Sequence, residues 1–400
     1  MSKAESWPGT TPAPAHFAHL DSIRGLSALY VAACHAYLMY ADSLLAGPSA
    51  TARGLVLGTV WLSFGRLAVT VFMVLSGYCL MLPVAQSPAR EPRPFAEFMS
   101  RRARRILPPY FAAVAVSIAL IQMVPSLDDP SIGEWHKSFP ALSIGSVVSH
   151  VLLVHNFFPA FQYSINHPLW SIATEWQIYF LFPLLVGIGA RYGEFRIVTA
   201  SVTLTLLLMA WLQKLSPDFD PWPAQFVALF GFGMACATWN FPREASAAPI
   251  DGRRWRTRAV VLLLAGVLSN LAFALTRQQI PDFLVGAGIG CAIVFLTDAM
   301  TRGSRPLSLR TLERPWLVEL GRFSYSLYLM HAPVLALFYV LARGVGLGPV
   351  AMQVVILGLA LPVTVAFTYL FHLAFERPFL NPVRRAVRPT TEMNRGVKSA

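Results

Sequence analysis

The chain has 400 residues, 55% of them hydrophobic and only 13% charged, with a mean hydropathy of +0.54. Soluble domains carry about 25% charged residues, so this composition excludes a soluble fold and marks an integral membrane protein. The net charge of +12 does not indicate nucleic acid, because a nucleic-acid binder gathers its cations on a water-facing domain. Here they fall in short loops between apolar runs, which is a topology signal.

The first 18 residues are rich in Pro, Ala and Ser and lack a charged-then-apolar leader with a cleavage site. They read as a flexible cytoplasmic tail, 1–18, that is not cleaved. The stretch from His19 to His35 then opens polar and becomes an apolar helix, yet it carries Asp21, Arg24 and His35 with it. Arg24 and His35 are eleven residues apart, so on a helix they lie within about 20° of each other and about 16 Å apart. In a bilayer both groups are costly and need a reason to exist.

Crossing a bilayer takes about 20 mostly apolar residues. Ten runs qualify, near 22–41, 65–83, 106–124, 168–188, 196–213, 223–240, 258–275, 282–299, 323–342 and 350–374. A run at 145–159 is broken by His150, His155 and Asn156 and reads as a partial or re-entrant segment. With both termini cytoplasmic, 26 of the 32 Lys and Arg residues lie inside, as the positive-inside rule demands. The expected fold class is therefore all-α: a polytopic membrane helix bundle of about ten transmembrane helices over 19–380, with a basic cytoplasmic tail at 381–400. Its length makes the loop at 125–167, with Asp128, Asp129, Glu134, Trp135, His136 and Lys137, a candidate for function. The four cysteines all lie in apolar runs and read as small core residues.

Further groups stand where a membrane disfavours them. Helix rise places His35 roughly 20 Å from the cytoplasmic face and Glu175 roughly 10 Å from the outer face. The two estimates meet, and a carboxylate beside a histidine would fix its tautomer for general-base work. Arg101, Arg102, Arg104 and Arg105 precede the third span, and their i, i+3 pairs share helix faces suited to phosphate. Ser76 and Gly77 form a small pair in mid-span, where two helices can approach closely. Tyr325 and His331 lie in the ninth span, and His331 reads as a hydrogen-bonded structural imidazole. No metal is expected, since the nine histidines show no metal-ligand spacing.

Six blocks together resemble the acyltransferase-3 family of integral membrane acyltransferases. The opening stretch is similar to that family's Leu-Asp-x-x-Arg-Gly…His block, and Val69 to Tyr78 to its "VDxFFVLSGF". Arg101 to Tyr110 resembles "RRxxRIxPxY", and Trp170 to Tyr179 resembles "WSLxxExxFY". Gly321 to Pro333 and Glu376-Arg377-Pro378 resemble its last two blocks. Thr70 and Met73 depart from the family's usual Asp and Phe.

The resemblance implies transfer of an acyl group, acetyl in the first instance, from cytoplasmic acyl-CoA to a hydroxyl of a cell-surface glycan or glycolipid. Acyl-CoA would be a co-substrate, with no further cofactor. Arg24, Arg101, Arg102, Arg104 and Arg105 would hold its phosphates, and His35 would act as base or acyl carrier. Glu175 would orient His35, Trp170 would offer a face to a sugar, and Asp21, Ser76, Tyr325 and His331 remain site candidates. The implied location is the inner (plasma) membrane. The fused extracytoplasmic esterase-like domain that some members of the family use is not expected here, so transfer would be direct or completed by a separate extracytoplasmic partner. The competing class is a transporter or flippase using His35 and Glu175 as a relay.

Overall fold

The computed structural model describes residues 17–45, 50–87, 94–128, 142–215, 224–242, 249–272 and 280–380. The predicted tails up to residue 16 and from 381, and loop residues 129–141 with Asp129, Glu134, Trp135, His136 and Lys137, lie outside them. Among the described residues all regular structure is helical.

The chain opens with α1 (Ala18–Leu45) and α2 (Ala50–Thr59), which a 3-10 turn joins to α3 (Gly65–Gln86). Next come α4 (Phe95–Met123), the short α5 (Ile144–Val151), α6 (Leu169–Tyr192) and α7 (Glu194–Leu215). The second half holds α8 (Gln225–Asn240), α9 (Gly252–Ala272), α10 (Ile280–Thr301), α11 (Leu307–Leu312), α12 (Pro315–Arg322) and α13 (Ser324–Gly344). The last stretch is α14 (Pro349–Val355) and α15 (Leu361–Phe371), each followed by one π-helical turn.

Among the described residues, seven helical stretches are long and apolar enough to cross a membrane: those containing α3, α4, α6, α7, α10 and α13, and the run Pro349–Phe379. The three other predicted runs are helical too, each with a visible reason for falling short. α1 is 28 residues long but dilutes its apolar surface with Asp21, Arg24, His35 and three tyrosines. α8 has 16 residues, about 24 Å of helix against a hydrocarbon core of about 30 Å. α9 opens with Arg253, Arg254, Arg256 and Arg258.

The apolar window of α3 is 78% buried and that of α7 only 17%, so α3 is the centre of the bundle and α7 a rim helix. Hydrophobicity does not drive helices together within lipid; close packing does, through small residues. The small pair at Ser76-Gly77 meets that expectation. A Cβ on Gly77 would lie 2.0 Å from the Phe230 carbonyl oxygen, and one on Gly233 2.1 Å from that of Val74. The backbones of α3 and α8 therefore touch. The run expected at 145–159 holds the short helix α5, 8 residues and about 12 Å long. The chain after it passes exposed residues 157–160 and then buried turns at Ser164, Ile165 and Asn166 before α6.

Candidate active site

A second backbone contact places the first cation. Gly321 of α12 packs on α1 so closely that a Cβ there would meet the Asp21 carbonyl oxygen at 2.0 Å. One turn along α1, Arg24 is bonded by Asp21 (Nη1 to Oδ1, 3.2 Å) and donates to Cys79 Sγ at 3.4 Å. The pairing compensates two charges removed from water. Arg24 lines a cavity of about 100 Å³ with Arg102, Arg105, Ser76, Glu175 and Tyr325.

The arginine run divides by its helical period. Arg102 and Arg105 share the face that lines the cavity, and Arg102 also lies over the Phe98 ring at 5.7 Å. Arg104 is exposed. Arg101 pairs with Glu97 at 2.8 Å, with both side chains nearly half exposed. Of the four predicted donor contacts in this run, two meet Arg24 and two face outward. Cys79, predicted as a plain core residue, also lines this cavity.

Glu175 belongs to the cation end. Ser76 Oγ (2.6 Å) and Tyr179 Oη (2.5 Å) both donate to its Oε1, and Arg24 and Arg102 line the same cavity. The expected contact between Glu175 and His35 is therefore corrected. The depth estimate failed because it started α6 at the outer membrane face. In fact the turns before it already run inside the bundle, with Ser164, Ile165 and Asn166 at 1%, 0% and 0% exposure. Glu175 lies six residues beyond Leu169, about 9 Å along α6, and there lines the same cavity as Arg24.

His35 instead joins two other imidazoles. Its Nδ1 lies 2.7 Å from His331 Nε2, with the rings stacked at 4.9 Å, and the His167 ring lies 5.3 Å away. His331 Nδ1 in turn meets the Leu327 carbonyl at 3.0 Å. A proline brings His167 here. Pro333 inside α13 has no N–H for the carbonyl four residues back, that of Leu329. Asn166 Nδ2 fills the gap by donating to Leu329 O at 2.8 Å, and it also meets Ser117 Oγ at 3.2 Å. Ile165 next to it is held at φ +64°, a conformation that disfavours a β-branched residue and clusters at functional sites. An amide pair between Gln177 and Asn156 (2.8 and 3.1 Å) ties the segment to α6.

Tyr328 joins the two ends. It lines the cavity, its Oη lies 2.6 Å from Ser171 Oγ, and its ring stands edge-on to His331 at 5.8 Å. Tyr325 lines the cavity from the same helix and donates to the Ile106 carbonyl at 3.1 Å. Glu376 Oε2 accepts from Ser326 N and Oγ (3.3 and 2.6 Å) near the start of α13 and meets His372 Nδ1 at 2.8 Å, so the final π-turn anchors the helix that carries Tyr325, Tyr328 and His331. Trp170 is corrected as a sugar platform: it is 6% exposed and stacks on Phe226. Sequence reasoning missed His167, Tyr179, Ser171 and Tyr328. Only the Asn-His-Pro before the fourth span could have flagged His167, as a polar group at a helix start.

A family profile described as an acyltransferase domain, Acyl_transf_3, matches residues 17–373. The peptidoglycan O-acetyltransferase OatA of Listeria monocytogenes is 26% identical over 337 residues, 80% of this chain and 50% of that protein. The putative peptidoglycan O-acetyltransferase YrhL of Bacillus subtilis is 26% identical over 322 residues, 76% of this chain and 49% of its own. The putative membrane-bound transacylase BcsY of Komagataeibacter xylinus is 24% identical over 360 residues, 86% and 85% of the two chains. The chain thus spans about half the length of the first two relatives. No solved structure matches.

Proposed function

The chain belongs to the acyltransferase-3 family, and from that premise we propose that it moves an acyl group, acetyl in the first instance, from cytoplasmic acyl-CoA to a hydroxyl of a cell-surface glycan or glycolipid. One observation carries this reading. One cavity is lined by Arg24, Arg102, Arg105 and Tyr328, and the ring of Tyr328 stands edge-on to His331, the partner of His35. Guanidinium groups suit phosphate, and about 16 Å of helix separates them from an imidazole, so a long thin donor would lie between the two.

In the reaction, the acceptor oxygen bonds to the thioester carbonyl carbon as its proton passes to His35. The C–S bond breaks, and the departing sulfur takes that proton and leaves as the free thiol. In the acyl-histidine variant, an imidazole nitrogen of His35 bonds to the thioester carbonyl carbon and the C–S bond breaks, releasing the thiolate. The acceptor oxygen then bonds to that carbon as the C–N bond breaks, and the hydroxyl proton ends on the thiolate, giving the ester, the free thiol and neutral His35. Arg24, Arg102 and Arg105 bind the donor phosphates, with Asp21 holding Arg24. Glu175 stands among these cations and, with Ser76 and Tyr179, shapes the donor cavity. Product either leaves directly on the acceptor or passes to a separate extracytoplasmic transferase.

The placement proposed is the inner membrane, with ten spans and both termini cytoplasmic. It adds α1, α8 and α9 to the seven, and α1 must cross for Arg24 and His35 to serve opposite levels. The test is transfer of labelled acetyl from acetyl-CoA in membranes, paired with mass spectrometry of surface glycans from cells with and without the gene. Labelled glycan that disappears in His35→Ala is the expected result. Solute flux in vesicles without any acyl-CoA requirement would overturn the reading in favour of a transporter.

A further inference from the structure

We propose that His331 is a positioning residue that fixes the tautomer of His35, making Nε2 the nitrogen that accepts the proton or the acyl group. The proposal rests on the reading of His35 as base or acyl carrier and deepens it. The starting point is a carbonyl. Leu327 O can only accept, so the His331 Nδ1 that meets it at 3.0 Å carries a hydrogen. In the neutral ring His331 Nε2 is then an acceptor, and the His35 Nδ1 at 2.7 Å must be the donor. The direction of the chain is fixed at one end by the backbone of α13: Leu327 carbonyl, His331, His35. Its other end is an imidazole whose acceptor nitrogen is Nε2.

Burial separates the two roles. His331 is 0% exposed and packs behind the ring of Tyr328, so it does not reach a substrate and acts through His35. His35 itself keeps partial exposure. When Nε2 of His35 takes a proton, Nδ1–H still points at a neutral acceptor. The bond then strengthens as a charge-assisted one without any rearrangement. A carboxylate performs this orienting work in serine-protease triads, holding the tautomer and stabilising the imidazolium. Here an imidazole anchored on a carbonyl does it, with no second full charge in the membrane interior. Titratable groups facing His35 include His331 and His167, and Tyr328 stands against His331.

The experiment uses the full chain in proteoliposomes, with labelled acetyl-CoA and a saccharide acceptor, and compares His331→Gln, His331→Asn and His331→Phe with His35→Ala. A glutamine oxygen reaches the position of Nε2, an asparagine oxygen does not, and phenylalanine keeps a ring without an acceptor. Expected are a kcat within about tenfold of wild type for Gln, and losses of about 10²-fold or more for Asn and Phe, on the scale of removing a positioned base. The acid limb of the pH–rate profile moves in Gln, and acetyl-CoA binding is unchanged in all three. Binding serves as the folding control. If Phe matches wild type with an unmoved profile, or if a Gln variant that binds donor is as inactive as Phe, the tautomer role is overturned while the base reading stands. If His35→Ala keeps near-normal transfer, the base reading itself fails.

Discussion

At one end of the site, Arg24, Arg102, Arg105 and Glu175 surround a cavity; at the other, His35, His167 and His331 pack ring against ring. The cation end is built of full charges, among which Arg24 is partnered by Asp21 and Glu175 by hydroxyls, near the starts of α1 and α4. The imidazole end uses groups that need carry no charge, seated deeper along α1. Within this site, charge is therefore concentrated where a polyanionic donor would compensate it, and the histidine cluster is built of groups that can exchange protons without a standing ion. On the proposed reading, the difference teaches that position along one helix, more than residue type, separates donor binding from chemistry.

The largest expected effect breaks the imidazole end alone. His35→Ala should lower acetyl transfer by about 10²–10⁴-fold with donor affinity kept, read from rates and acetyl-CoA binding on the same membranes. Weaker donor binding with normal turnover would reverse the assignment of the two ends. Next comes Arg24→Ala, which removes a charge-assisted contact of about 1.5–3 kcal/mol; a 10–100-fold higher KM for acetyl-CoA is expected on that scale, and KM for the acceptor should not move. A smaller loss should follow Asn166→Leu. It strands the Leu329 carbonyl at a cost of about 1–3 kcal/mol and frees His167, so turnover should fall before donor KM, alongside a lower melting temperature. The smallest effect tests the helical division of the arginines. Arg101→Ala should stay within about fivefold of wild type, as exposed ion pairs contribute little, whereas Arg102→Ala should resemble Arg24→Ala. Equal KM changes for Arg101 and Arg102 would show that the run acts as a diffuse basic patch.

The helical class and the positions of the apolar runs were legible in the sequence, because each depends on local composition and on the 3.6-residue period, which also sets Arg24 and His35 eleven residues apart on the one helix α1. The i, i+3 spacing also predicted that the arginines would pair by face, though not which pair would turn inward. The partner of His35 was not legible. His331 stands 296 residues away, and nothing local announces the contact. Glu175 was misplaced for a physical reason: hydropathy finds where a span is apolar but not where the chain enters the bundle, and the turns before α6 enter early. Trp170 was misread because an aromatic residue has the same sequence signature in a core as on a platform.

The bond from Asn166 to the Leu329 carbonyl has a consequence for sequences other than this one. It exists because Pro333 leaves that carbonyl without its helical donor, so the two positions are linked by a single hydrogen atom. A relative that keeps proline at the place of Pro333 should keep a side-chain donor at the place of Asn166. One that replaces the proline should be released to vary there, and its histidine at the place of His167 should drift with it. Covariation between a helix-breaking residue and a distant amide, rather than conservation of either, would then be the evolutionary trace of how this histidine cluster is held in register.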